Sequence, residues 1–413
     1  MKNYQSFFMY IFTIIFIFGW KISPNIDLIF LFSIYLFILY IIQYNRCHIY
    51  IGEFYVIVLL ILLIIQSHLT TIINGSIEVQ YAFRSFRAFI NFLGAIGLVG
   101  LLQIFTDKHF PDKILYYVFI SISIHAILIF TMYISDPFRE LIYKLTGTTK
   151  YAFVNLNTPF LSGFRIPGLT YGLAQTSVLQ MFGLIIAPCI YHEFKYKTIF
   201  WVFVILLIFS ILLTGRIGLI YGIIFVPLTL ILISSKNKRM FLISLKFIII
   251  FIILFFVVTK NVLPLPNKFY SYNIWWISQI FDVVRNYHDS KLIKMYLDMY
   301  FIPEDFLTFM IGRGITGRGE GGYIPSDSGY VLLLFSGGVI GMFLMISIYI
   351  IIFLYGILTF RIHKGISIVT IIVVISVMFL NAKEVALLTR NQFSVVALLA
   401  CASIRLYYNS KRS

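Results

Sequence analysis

Residues 198–235 read TIFWVFVILLIFSILLTGRIGLIYGIIFVPLTLILISS. Two apolar runs, 198–214 and 217–235, meet at Thr214-Gly215-Arg216 with no room for a loop. Each run is close to the roughly 20 residues that carry a helix across bilayer hydrocarbon. A helix satisfies its own backbone there, so the stretch reads as two transmembrane helices that turn back through an arginine.

The same window applied outward gives further spans at 4–20, 26–44, 52–70, 87–106, 114–134, 169–191, 242–259, 329–358, 366–381 and 391–408. The predicted fold is all-α: a polytopic integral membrane protein of about 12 transmembrane helices in one membrane domain, 1–413. A large periplasmic loop, 260–328, precedes the tenth span. Composition agrees, since 60% of residues are hydrophobic and 12% are charged, more apolar surface than a soluble fold of 413 residues can bury. The apolar run from Phe7 to Trp20 resembles a signal peptide, but Gly19-Trp20-Lys21 offers no small-residue cleavage pattern, so it is read as the first span. Cys47, Cys189 and Cys401 lie far apart in or near apolar segments and show no metal or redox spacing.

The net charge of +16 lies in short loops rather than in a basic tail, which points to membrane topology and not to nucleic acid. Every second short loop is basic, from Arg46 through Lys108 and Lys113, Lys195 and Lys197, Lys236 to Arg239, to Arg361 and Lys364. That pattern puts both termini in the cytoplasm. Nine of the fourteen arginines fall on the opposite side: Arg84, Arg87, Arg139, Arg165, Arg216, Arg285, Arg313, Arg318 and Arg390. Topology does not distinguish Lys from Arg, whereas the planar guanidinium suits bidentate binding of phosphate. The outer stretch 274–299, with Trp275 and Trp276, has the make-up of surface amphipathic helices.

Three constellations mark that side. Gly163 to Gly168 holds Arg165 above a polar helix start, where amides and the helix dipole favour an anion. Arg216 sits in the tight turn, where a charge so near hydrocarbon is costly unless it meets water, a partner or a ligand. Gly312 to Tyr323 carries Arg313, Arg318, Glu320 and Tyr323, and Ser326-Asp327-Ser328-Gly329-Tyr330 follows. Asp327 reads either as a carboxylate at a membrane-edge cavity or as a helix N-cap. Arg84 and Arg87, with Lys383, Glu384 and Arg390, either complete a basic rim or anchor the interface. His125, inside a span, reads as a core residue. No phosphate-cradling loop, paired Asp-x-Asp, His-Glu-x-x-His or cysteine cluster appears, which gives no sign of ATP use or of a metal site.

In this order, the three constellations resemble the bacterial O-antigen polymerases, relatives of the O-antigen ligases. The resemblance rests on Arg165 before Pro167-Gly168, on Arg216 in the tight turn, and on Ser326 to Tyr330 leading to Phe335-Ser336-Gly337-Gly338-Val339-Ile340-Gly341. The ligases tend to place a His-Asn pair where this chain has Asp327-Ser328. The resemblance implies a GT-C-like fold in the bacterial inner membrane and a cofactor-free reaction. In it, a growing glycan passes from undecaprenyl diphosphate to a hydroxyl of the next lipid-linked repeat unit. It further implies that Arg216 and Arg165, with Arg313 or Arg318, hold the diphosphate, with Arg84 and Arg87 on the same rim. Asp327 would serve as the base, Glu320 being the alternative, and Tyr323 and Tyr330 would stack on sugars. A chain-length regulator and a flippase are implied partners. A ligase, or a flippase for the same lipid-linked unit, is the rival reading.

Overall fold

The computed structural model describes residues 2–20, 22, 27–44, 48–75, 79–106, 109–146, 166–170, 172–234, 249, 297–315, 318–319 and 322–411. Its long helices are α1 (Lys2–Phe18), α2 (Leu28–Tyr44), α3 (Ile51–Ile73), α4 (Gln80–Thr106) and α5 (Phe110–Ile134). After the shorter α6 (Asp136–Thr146) come α7 (Leu173–Ile190), α8 (Lys197–Thr214) and α9 (Arg216–Ser234). The single turn α10 (Phe306–Ile311) precedes α11 (Gly329–Leu358), α12 (Lys364–Leu380) and α13 (Arg390–Ser410). Among the described residues, the only strands are a two-residue antiparallel ladder, β1 (Arg318–Gly319) with β2 (Gly322–Tyr323).

Seven of these helices, α3, α4, α5, α7 (continued to Glu193), α8, α11 and α13, are long and apolar enough to cross a membrane. The apolar parts of α1, α2, α9 and α12 are shorter. Polarity is distributed as lipid requires. The most apolar helices, α3 and α11, are the least covered by protein, while α13, the least apolar of the seven, is mostly buried. From Arg390 to Arg405 every residue of α13 is buried, including Asn391, Gln392, Ser394 and Ser403. A polar helix at the centre with apolar ones outside is the arrangement of a polytopic membrane protein.

Packing fixes helix direction. Gly94, Gly97 and Gly100 of α4 lie against Ser33, Leu36 and Tyr40 of α2, so these two run parallel. Tyr10 meets Tyr117 and Phe18 stacks on His125, so α1 and α5 are parallel too. Tyr221 near the start of α9 bonds Phe379 at the end of α12, and Lys364 at the start of α12 reaches Ile233 at the end of α9, so these are antiparallel. One end of the bundle, here the upper end, therefore gathers the last turns of α1, α3, α5, α8 and α12 and the first turns of α2, α4, α7, α9, α11 and α13. The lower end holds the buried pair Glu53–Arg405 (2.7 Å), with Tyr40 and Tyr50 rings 5.2 and 5.6 Å from the guanidinium. It also holds Lys113–Glu193 at 2.7 Å and His363–Asp112 at 3.1 Å.

Two expectations shift. α4 starts at Gln80 rather than at 87, because the helical backbone continues through Arg84 and Arg87 once a buried carboxylate meets Arg87. The span at 329–358 is not one straight helix: Gly338 has φ 64° and ψ −170°, which breaks α11. All but position 249 of the ninth span, 242–259, most of the 260–328 loop and nearly all of 274–299 lie outside the described residues, as do Arg165 and Glu320.

Candidate functional site

The described parts of the sequence constellations lie at the upper end and regroup there into three: the corner of Ile166 and Arg216, the Arg313 turn, and the stretch around Asp327. In the first, the backbone of Ile166 donates to Leu213 O at 3.0 Å, which ties the segment following Arg165 to the last turn of α8. A single residue, Gly215, joins α8 to α9, so Arg216 opens α9 one step beyond that contact. The first turn of α7 packs into the same corner, where Ser177 Oγ accepts the Gly218 N–H at 3.1 Å. Ile166 and the backbone of Arg216 thus meet at the same corner; Arg165 itself and the Arg216 side chain lie outside the described residues. Beneath the corner, His125 Nε2 accepts the Leu169 N–H at 3.0 Å, and its Nδ1 lies 2.9 Å from the side-chain amide of Gln180. Pro167 O takes hydroxyl bonds from Thr170 (2.9 Å) and Thr176 (3.0 Å), closing the turn.

The second constellation is built around the break in α11. With no i→i−4 ladder at the break, its carbonyls need other donors. Arg313 N donates to Phe335 O at 2.7 Å, Gly314 N to Ser336 O at 2.9 Å, and Gln66 Nε2 of α3 to Gly337 O at 2.7 Å. Gln66 also bonds Ile311 O at 3.0 Å, Thr70 Oγ1 bonds the same carbonyl at 2.8 Å, and Asn74 Nδ2 bonds Gly312 O at 3.0 Å. The two segments interlock through glycine: a Cβ at Gly312 would strike Ser336 O, and one at Gly338 would strike Met310 O. The conformation at Gly338 is one that other residues avoid. Arg313 is exposed, with Nε 3.2 Å from Thr308 Oγ1. Thr308 N and Oγ1 each donate to Asp305 at 2.8 Å, which caps α10 and holds the Asp305 carboxyl below the usual carboxylate range.

The third constellation lies beside it. Asp327 is about half exposed, with Lys383 at 3.6 Å. Ser328, not Asp327, is the N-cap of α11, so the capping alternative for Asp327 is set aside. Ser326 Oγ bonds Met299 O at 2.8 Å and accepts the Ser328 N–H at 3.0 Å, which shapes the backbone around Asp327. Tyr330 is engaged internally: its hydroxyl donates to Met378 O at 2.8 Å and its N–H to Asn381 O at 3.2 Å. The last turn of α12 is therefore a shared wall, with Met378 and Asn381 on the Asp327 side. On the α9 side of that wall, Tyr221, one and a half turns below Arg216, bonds Phe379 O at 3.1 Å. Arg318 and Tyr323 face each other in the β1–β2 register, their side chains outside the described residues, as is Glu320.

Arg87 has a different setting. Its Nη1 lies 3.5 Å from Asp27, a carboxylate only 1% exposed that Arg390 also approaches at 3.3 Å. Asp27 Oδ1 takes the Phe30 N–H at 2.8 Å, and Asn391 bonds Ile17 O. This cluster joins α1, α2, α4 and α13 just below the upper end. Arg84, one turn before Arg87, is partly buried.

Sequence reading missed Asp27, Gln66, Thr70 and Asn74. The last three stand four residues apart along α3, a polar stripe within an apolar span that was open to view. Asp27 gave no such signal, because its partners are 60 and more than 300 residues away. The described cysteines, Cys189 and Cys401, are buried and unpaired with each other. In comparisons with known proteins, no family model and no curated protein matches this chain.

Proposed function

We propose that this chain is a polysaccharide repeat-unit polymerase of the O-antigen type, with about twelve transmembrane helices and the upper end facing the periplasm. The observation that carries the reading is the gathering, at one end of the bundle, of the Ile166 segment and the backbone of Arg216 with Arg313 and the half-exposed Asp327. That end lies opposite the loops that hold Lys113, Lys197 and Lys364, in line with cytoplasmic basic loops. α9 ends at the lower end and α11 starts at the upper, which supports a further span between them.

The chemistry follows from the charges. A hydroxyl of the incoming lipid-linked repeat unit attacks the anomeric carbon of the growing glycan, and the bond to undecaprenyl diphosphate breaks. Asp327 takes the hydroxyl proton, and Lys383 orients its carboxylate. Guanidinium groups at positions 165, 216 and 313 stabilise the leaving diphosphate. The donor bond supplies the free energy, so the protein needs no nucleotide.

The test is deletion in an O-antigen-producing host, with the lipopolysaccharide resolved on a gel. Core bearing a single repeat unit supports the polymerase. Bare core points instead to the ligase or flippase reading, and an intact ladder excludes all three in a host without a redundant enzyme.

A further inference from the structure

We infer that Gln66 is a positioning residue for the proposed reaction: its one amide fixes Arg313 relative to Asp327. The inference rests on the polymerase reading for its chemistry, but the clamp itself rests on geometry. Gln66 is buried in α3 and touches neither Arg313 nor Asp327 among the bonds described. Its Nε2 reaches two carbonyls from different segments, Ile311 O at 3.0 Å and Gly337 O at 2.7 Å. Ile311 lies two residues before Arg313. Gly337 lies at the break of α11, whose first half begins two residues after Asp327. The orientation of the amide is dictated by its surroundings, because two carbonyl oxygens demand the nitrogen and not the oxygen. Thr70 and Asn74 strengthen the first contact, whereas of the α3 side chains only Gln66 reaches both segments among the described bonds.

The break is otherwise a weak point. Helix hydrogen bonds are interrupted there, and the Arg313 turn is held by backbone donors that depend on the turn staying in place. Removing the amide leaves Gly337 O without that donor and Ile311 O with Thr70 Oγ1 alone. It also loosens the turn against the first half of α11, which then stay joined only through Arg313 N, Gly314 N and Ser336 Oγ among the described bonds. A shift of about 1 Å between a charge and a base costs on the order of 10²-fold in rate without requiring weaker binding.

Gln66→Met keeps length and volume and removes both bonds. The wild-type and variant proteins are reconstituted in liposomes with undecaprenyl-diphosphate-linked repeat units, and initial rates are followed against substrate concentration. The expected result is a kcat lowered about 10- to 100-fold per folded protein, with KM within about threefold. The second measurement needs no activity: spin labels at the exposed positions 307 and 325, with Cys47 replaced, report the distance between the two segments. It is expected to be narrow in the wild type and broad in Gln66→Met. An unchanged narrow distance, or a kcat that falls only with the folded fraction, overturns the inference. A wild-type protein that makes no polymer while the distance broadens in the variant sinks the polymerase reading and leaves the clamp.

Discussion

At the residue scale, arginines at the upper end fall into two kinds. Arg87 and Arg390 converge on Asp27, which is buried, so this cluster holds helices together. Asp27→Asn keeps the bond to the Phe30 N–H but leaves two guanidiniums around a neutral side chain. It is expected to lower stability by about 3–5 kcal/mol, read as a fall in melting temperature in detergent. Arg216 opens α9 at a one-residue turn and is proposed to hold the lipid diphosphate. Arg216→Lys retains the charge and loses the planar fork, so it is expected to insert normally and fail to restore the polysaccharide ladder, with a rate lowered about 100-fold. Asp327→Asn is expected to lower kcat by about 10²- to 10⁴-fold with little change in KM, as loss of a general base does.

At the element scale, α11 decides the site. Its 30 residues would span about 45 Å as a straight helix, well beyond the roughly 30 Å of hydrocarbon. That excess was a sign in the sequence that the run contains more than a simple span, and Gly337-Gly338 is where it breaks. Gly338→Ala would strain a backbone conformation costing about 1–3 kcal/mol and drive a methyl group into Met310 O. The expected outcome is faster amide exchange at 311–315 with the rest of the bundle unaffected. Most helices were legible in the sequence because length and hydropathy determine what can cross a bilayer. The start of α4 was not, since Arg87 is compensated by Asp27, a partner that no local pattern reveals. The α3 stripe was visible as spacing, but its partners, at 311, 312 and 337, required the fold.

Across the whole molecule, each end of the bundle holds its own charged clusters. The lower end holds the Glu53–Arg405 pair, fully buried and remote from the candidate site. Glu53 also takes the Tyr50 N–H at 3.0 Å, so it caps α3 as well as pairing with α13. Arg405→Met alone is expected to destabilise the protein by about 3–5 kcal/mol, and adding Glu53→Gln to recover most of that loss. Neither change is expected to alter chain length of the product, because the upper end is untouched; melting curves and the polysaccharide ladder check both points. The upper end gathers cations, a half-exposed carboxylate and turns anchored by His125 and Gln66, and the proposed reaction would use a lipid diphosphate donor there. The most direct measurement of that claim uses purified protein in liposomes supplied only with undecaprenyl-diphosphate-linked repeat units. The account expects a ladder of lengthening glycans without nucleotide, and one undecaprenyl diphosphate released for each linkage formed. Repeat units that remain single, or glycan growth without release of the lipid diphosphate, would contradict it.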